Sequence, residues 1–146
     1  MYRFRHEALL PGRCLQLLPK LAVAIGLNEA IVLQQVQYWV SKFEETNDRK
    51  HYHDGYWWVW NSAAGWRTNF PFWSERTIER TIKVLREPVA DSEKVVGREP
   101  LLIVGNYNSK GYDRTLWYRI DYLAYDRFFD KYDEKMGGNV TPIEMP

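Results

Sequence analysis

Cysteine is nearly absent from this chain. Cys14 is the single one among 146 residues, so an internal disulfide is impossible and a four-thiolate zinc site is excluded. Long apolar runs are also missing. The N-terminal stretch is interrupted by Pro11, Gly12, Arg13, Pro19 and Lys20, which is no secretory h-region, and nothing approaches the ~18 apolar residues of a membrane span. A soluble, cytoplasmic protein is expected. Excess charge is lacking too: 20 basic and 19 acidic side chains leave a formal +1, so any basic surface has to be local. There is no glycine-rich phosphate loop, Gly137-Gly138 falling in a polar tail. No ATP site, no other cofactor and no enzymatic centre is expected.

What is present is a large apolar and aromatic content. Hydrophobic residues make up 45% of the chain, enough for one domain with a real core. That domain is expected over residues 1–136, with residues 137–146 as a flexible tail or the start of a linker. Seven Trp, ten Tyr and six Phe have to find core positions or a partner surface.

Asn28 can cap a helix, with Glu29 complementing its dipole, and Val32, Val36, Trp39, Val40 and Phe43 follow at helical spacing. Residues 44–55, charged and poor in aliphatics, read as a solvated loop. Tyr56-Trp57-Trp58-Val59-Trp60 reads as a strand. Ser62 offers a cap to a short helix through Ala63, Ala64, Trp66 and Arg67, limited by Asn69 and Pro71. Ser74 is a second cap, Glu75 sits in the first turn, and Ile78, Ile82 and Leu85 mark one helix face before Pro88 stops it. Residues 89–100 read as an irregular connection. Leu101-Leu102-Ile103-Val104 and Trp117-Tyr118-Arg119-Ile120 pair as a β-hairpin with a polar tip at Asn108-Ser109-Lys110-Gly111. Residues 122–136 read as a last helix, with Tyr125, Phe128, Phe129, Tyr132 and Met136 on one side. Packing of that stripe on the first helix is favoured over a dimer or partner contact.

This order (helix, strand, short helix, turn, helix, hairpin) predicts an α+β fold: a winged helix-turn-helix with a three-helix core, a small antiparallel sheet and wing, and an added C-terminal helix. In such a module the second helix of the pair enters the major groove, which at about 12 Å admits one helix. Here that helix is 74–87. At 100° per residue Ile78, Ile82 and Leu85 fall within about 60° of one another, and Arg76, Arg80 and Lys83 lie opposite. Between Ser74 and Arg86 four basic and two acidic residues leave a local +2. An Arg can hold guanine with two hydrogen bonds, whereas Lys83 and the hydroxyls of Ser74 and Thr77 suit phosphate. Asn108, Ser109, Lys110 and Arg114 lie at or near the hairpin tip, and Lys110 beside Gly111 is the best single phosphate contact. A basic face opposite a helix's core is commonly only a solvated face.

Three stretches carry a family resemblance: Leu27-Asn28-Glu29-Ala30-Ile31-Val32-Leu33-Gln34-Gln35 with Tyr38-Trp39, then Phe70-Pro71-Phe72-Trp73-Ser74-Glu75-Arg76-Thr77-Ile78, then Asp113-Arg114-Thr115-Leu116-Trp117-Tyr118-Arg119-Ile120-Asp121-Tyr122. In these the chain resembles the N-terminal winged-helix domain of replication initiators, or replisome organisers, of phages and mobile elements of Gram-positive bacteria. The resemblance implies an origin-binding factor on double-stranded DNA that brings helicase-loading or other replication proteins. In such proteins a second, often DnaD-type, domain does part of that partner work. No such domain follows within the 146 residues, so a fragment or a short member is expected. It also implies that residues 74–77 begin the reading helix and that residues 106–114 form the wing. The insertion at 87–100 is longer than the family pattern.

His51, His53 and Asp54 are ordinary metal-ligand types but have no partner cluster in the sequence, and Cys14 has no identifiable activating surroundings. Neither is expected to form a site. Two other functions remain open: a winged-helix transcriptional regulator, since one fold serves both, and a winged helix that binds protein, which the near-neutral charge and the many aromatics favour. A homodimer is an open arrangement for a module with one reading helix, and repeated half-sites in its target would reveal it.

Overall fold

The computed structural model describes residues 14–91 and 96–136. Over them the chain is α+β, with five α-helices and two small antiparallel sheets. The expected tail at 137–146 lies outside the described residues. Among the described residues no helix is long and apolar enough to cross a membrane.

A helix unforeseen from the sequence, α1 (Pro19–Ile25), comes first. Its proline stands at the start, where a missing N–H costs nothing and a fixed φ is already helical. Gly26 follows at φ 108° and joins α1 directly to α2 (Leu27–Glu45). Only glycine takes that backbone without strain, so the chain turns there and Asn28 falls inside the first turn of α2 instead of capping it. The expected stripe holds: Val32, Val36 and Val40 are buried, and Trp39 and Phe43 pack partly buried against the same core.

Residues 44–55, expected to be a solvated loop, are structured. A 3-10 turn (Arg49–His51) leads into β1 (Tyr52–His53) and β2 (Tyr56–Trp57), paired as a hairpin. Its two-residue turn is Asp54-Gly55, both at positive φ (54° and 82°), the combination whose twist matches that of paired strands. The expected strand at 56–60 is broken at Trp58. Its backbone N–H donates to the His51 carbonyl at 2.7 Å and its indole N–H to that of His53 at 3.0 Å. The chain resumes as β3 (Val59–Asn61).

The two helices of the expected pair start where serines cap them. In α3 (Ala63–Asn69) Ser62 Oγ accepts from Gly65 N at 3.0 Å. In α4 (Glu75–Arg86) Ser74 Oγ accepts from Thr77 N at 3.2 Å. Ile78, Ile82 and Leu85 are buried as expected, and Thr81 joins them, its hydroxyl donating to the Thr77 carbonyl at 2.7 Å. The last carbonyls of α4, which lack intrahelical partners, are taken up by the connection that follows. Lys83 O accepts from Glu87 N at 3.1 Å, Val84 O from the buried Arg98 guanidinium at 3.1 Å, and Leu85 O from Leu101 N at 2.9 Å. The connection is thus anchored to the helix end at Arg98, and Val89 and Arg98 pair through both backbone bonds.

The second sheet has the order β3-β5-β4, with β5 (Leu116–Ile120) between β3 and β4 (Leu102–Gly105). Its register, Val59↔Tyr118↔Val104 and Trp60↔Trp117↔Gly105, sorts the residues onto two faces. Val59, Leu102, Tyr118 and Ile120 are buried in one core with α2, α3 and α4. The other face, with Trp60, Trp117 and Arg119, is where the β1–β2 hairpin lies. The Arg119 guanidinium sits 3.7 Å from the Tyr56 ring centre, and the His51 ring stacks on Trp60 at 4.1 Å. A Cβ on Gly105 would come to 3.0 Å from Tyr107 and 3.1 Å from Trp58, so any larger residue there would make the two rings of the cover shift by a few tenths of an ångström.

Helix α5 (Tyr122–Lys135) closes the described chain, capped by Asp121 Oδ1 on Ala124 N at 3.0 Å. Phe128 and Tyr132 are buried, Tyr125 and Phe129 pack partly buried, and Met136 is exposed just past the helix end. The polar contacts of α5 reach both α1 and α2. Lys20 pairs with Asp133 at 3.0 Å, and the Tyr122 hydroxyl donates to Gln37 at 2.5 Å.

Candidate nucleic-acid interface

Helix α4 is built to present cations. Its buried side is Ile78, Thr81, Ile82 and Leu85, so the 3.6-residue repeat turns Arg76, Arg80 and Lys83 outward, and all three are exposed. Among the described residues none of them has a carboxylate within ion-pairing distance, in contrast to Arg67 on α3, 3.9 Å from Glu75. The three cations share one exposed face of a nearly neutral molecule. The hydroxyls of Ser74 and Thr77 lie 3.0 Å apart at the start of the helix. Ser74 is exposed and Thr77 partly buried, each already engaged with the other.

The β4–β5 hairpin stands beside α4, and α4, the β5 side of the hairpin and the β3–α3 junction (Asn61, Ser62, Ala63 and Trp66) border a groove of about 630 Å³. Arg114, Thr115 and Leu116 line it from the hairpin, and Glu75, Glu79, Lys83, Arg86 and Glu87 from α4. Arg114 and Lys83 thus line the same groove. It adds Arg86, which sequence reasoning had counted in the basic balance but not among the contacts. Three carboxylates and three cations line this groove, so its floor has no excess of either sign. The uncompensated charge lies on the outward face, at Arg76 and Arg80.

The hairpin tip divides the remaining expected contacts. Ser109 and Lys110 are exposed, and the Lys110 ammonium lies 5.9 Å from the Tyr112 ring centre. Asn108 is different. Its amide N–H groups donate to the carbonyls of Asp113 at 2.9 Å and Thr115 at 2.8 Å, and its oxygen accepts from the Trp117 indole at 2.7 Å. With both ends of the amide engaged internally, Asn108 holds the loop closed and has little left for a base or phosphate. Asp113 braces the same loop by accepting from Thr115 N at 3.0 Å, a bond that holds its carboxyl below the usual range.

The residues weighed as metal ligands have other partners. His51 Nδ1 bonds the Trp58 carbonyl at 3.0 Å, His53 Nε2 bonds the Lys50 carbonyl at 3.1 Å, and Asp54 accepts from the Tyr107 hydroxyl at 2.6 Å. Burial pushes the His51 imidazole below its ordinary pKa. Among the described residues no group of three His, Cys, Asp or Glu is placed to hold a metal ion.

No protein-family model, no curated protein and no solved structure matches the chain.

Proposed function

We propose that the chain is a winged-helix module that binds duplex DNA for replication initiation on a phage or other mobile element. Helix α4 lies in the major groove and the β4–β5 hairpin acts as the wing. The observation that carries the reading is the Ser74-capped helix with Arg76, Arg80 and Lys83 exposed and unpaired opposite a buried face. The sheet order β3-β5-β4 and the short α3 before α4 support it, since a winged helix threads its strands and its helix pair in this way. Arg76 and Arg80 then face base edges, Lys83 and Arg114 flank the groove beside them, and Ser109 and Lys110 reach phosphate from the wing tip.

The origin role and the recruitment of helicase-loading proteins rest on the family resemblance of the three sequence stretches. Fluorescence anisotropy on duplexes of varied sequence tests the assignment. Arg80→Ala is expected to reduce discrimination between sites, and Lys110→Ala to weaken all duplexes about equally and lower the salt slope by about one. Identical sequence profiles for wild type and Arg80→Ala would remove α4 as the reading element. A protein-binding winged helix is the second reading, favoured by the charge-balanced groove between α4 and the hairpin. Its mark is a partner that still binds after loss of Arg76, Arg80 and Lys110.

A further inference from the structure

The wing hairpin has a second side. Thr115 lines the α4 groove on one side and, on the other, a cavity of about 380 Å³ bounded by Lys50, His53, Trp60, Tyr107, Ser109 and Trp117, with Asn108 and the acidic Asp113 also on its wall. A smaller cavity of about 240 Å³, lined by Trp39, Phe43, His51 and Trp60, adjoins it. Trp60 belongs to both, so its indole stands where the two meet.

That indole ends a stack of rings. Phe43 and His51 lie parallel with centroids 3.4 Å apart, and His51 and Trp60 lie parallel at 4.1 Å. Phe43 is partly buried and His51 buried, but Trp60 is 41% exposed. Trp117, its cross-strand neighbour, meets it tilted by 52° at 4.8 Å and is itself buried. A flat ring held rigidly from behind and open to solvent is a platform for another flat ring. Its surroundings narrow the choice of ligand. The Lys50 ammonium is exposed with no carboxylate in ion-pairing range among the described residues, and Arg49 is its exposed sequence neighbour, with its guanidinium 4.5 Å from the Tyr52 ring centre. Ser109 adds a hydroxyl from the hairpin tip, and the Asp113 carboxylate on the same wall is engaged by the Thr115 N–H at 3.0 Å. A planar π-face beside cations suits a nucleobase carried on a phosphate backbone.

We propose that this groove binds single-stranded DNA, one base stacking on Trp60 and the adjacent phosphate resting near Lys50. The proposal deepens the duplex reading and rests on it for its setting. A strand parted from a duplex seated on α4 passes over the wing and meets the platform.

The test uses the full chain with labelled oligothymidylate and, separately, a labelled duplex. Trp60→Ala is expected to weaken single-strand binding about five-fold or more. Trp60→Phe should keep most of it, and Lys50→Ala should weaken it and lower its salt slope. Duplex affinity should change less than about two-fold in all three. Unchanged single-strand affinity in Lys50→Ala, or in a Trp60→Ala chain with a native circular dichroism spectrum, overturns the proposal, and so does a wild type that binds duplex but no single strand. If Trp60→Ala does not fold, Lys50→Ala alone decides. Single-strand binding that depends on Trp60 and Lys50 without any duplex binding would sink the duplex reading and leave this site standing.

Discussion

Replacing Asn108 by alanine distinguishes a side chain that holds the β4–β5 hairpin together from one that touches DNA. Three hydrogen bonds of 2.7 to 2.9 Å disappear with it. Bonds of this kind contribute about 0.5–1.5 kcal/mol each, and a buried donor left without a partner costs about 1–3 kcal/mol. The donor at risk is the indole N–H of Trp117, a residue only 6% exposed. The carbonyls of Asp113 and Thr115 lie nearer solvent and recover part of their loss from water. The net expectation is a loss of about 3 kcal/mol in unfolding free energy, read from urea denaturation followed by tryptophan fluorescence. Asn108→Asp is the informative companion. It keeps an acceptor for Trp117 but sets a carboxylate against two carbonyls, so it should be no more stable than the alanine variant. A change below about 0.5 kcal/mol in Asn108→Ala, with duplex affinity lost as strongly as in Lys110→Ala, would refute the structural assignment and return Asn108 to the DNA contacts.

Ser74→Ala removes the cap on Thr77 N and should cost about 1 kcal/mol, whereas Ser74→Gly should cost only a few tenths. Equal melting temperatures for Ser74→Ala and wild type would contradict this. Gly105→Ala brings a methyl group to 3.0 Å from Tyr107 and 3.1 Å from Trp58 and should destabilise by about 1–3 kcal/mol. Restoration by Tyr107→Ala in the same chain would confirm the clash as the cause. His51, whose imidazole burial holds below its ordinary pKa, takes up a proton more readily when unfolded. Its contribution is therefore complete above the unfolded value of about 6.5 and declines as pH falls through and below it toward the depressed folded value. His51→Phe should flatten that part of the stability profile, and an unchanged profile would show that another group is responsible.

Local chemistry was readable wherever one residue dictates one geometry. Ser62 and Ser74 stand one residue before helices and cap them, and the run of Ile78, Ile82 and Leu85 names the buried side of α4 because helical spacing allows only one such side. The hairpin of β4 and β5 follows from two apolar runs around a polar tip. What escaped depends on distant partners. The segment 44–55 is polar enough to read as solvated, yet His51 and His53 act there as flat rings on the outer face of a sheet whose later strands, Leu102–Gly105 and Leu116–Ile120, lie far along the chain. Asp54-Gly55 was the available signal for its hairpin. Helix α1 was obscured because Pro19, an interruption in an apolar run, is also a good first residue of a helix. In the sequence Trp60 reads as one more strand aromatic. The alternation with the buried Val59 already put it on the other face, but nothing local revealed that the ring would stay exposed.

Arg76 and Arg80 on α4 are the residues proposed to meet duplex DNA. The most direct measurement is fluorescence anisotropy of this chain on duplexes from its own genomic neighbourhood against scrambled duplex, at several salt concentrations, beside the Arg76→Ala/Arg80→Ala double variant. Site-preferring binding that falls linearly in log affinity against log salt and is lost in the double variant is expected. Absence of duplex binding at low salt, or binding that the double variant retains in full, would contradict it.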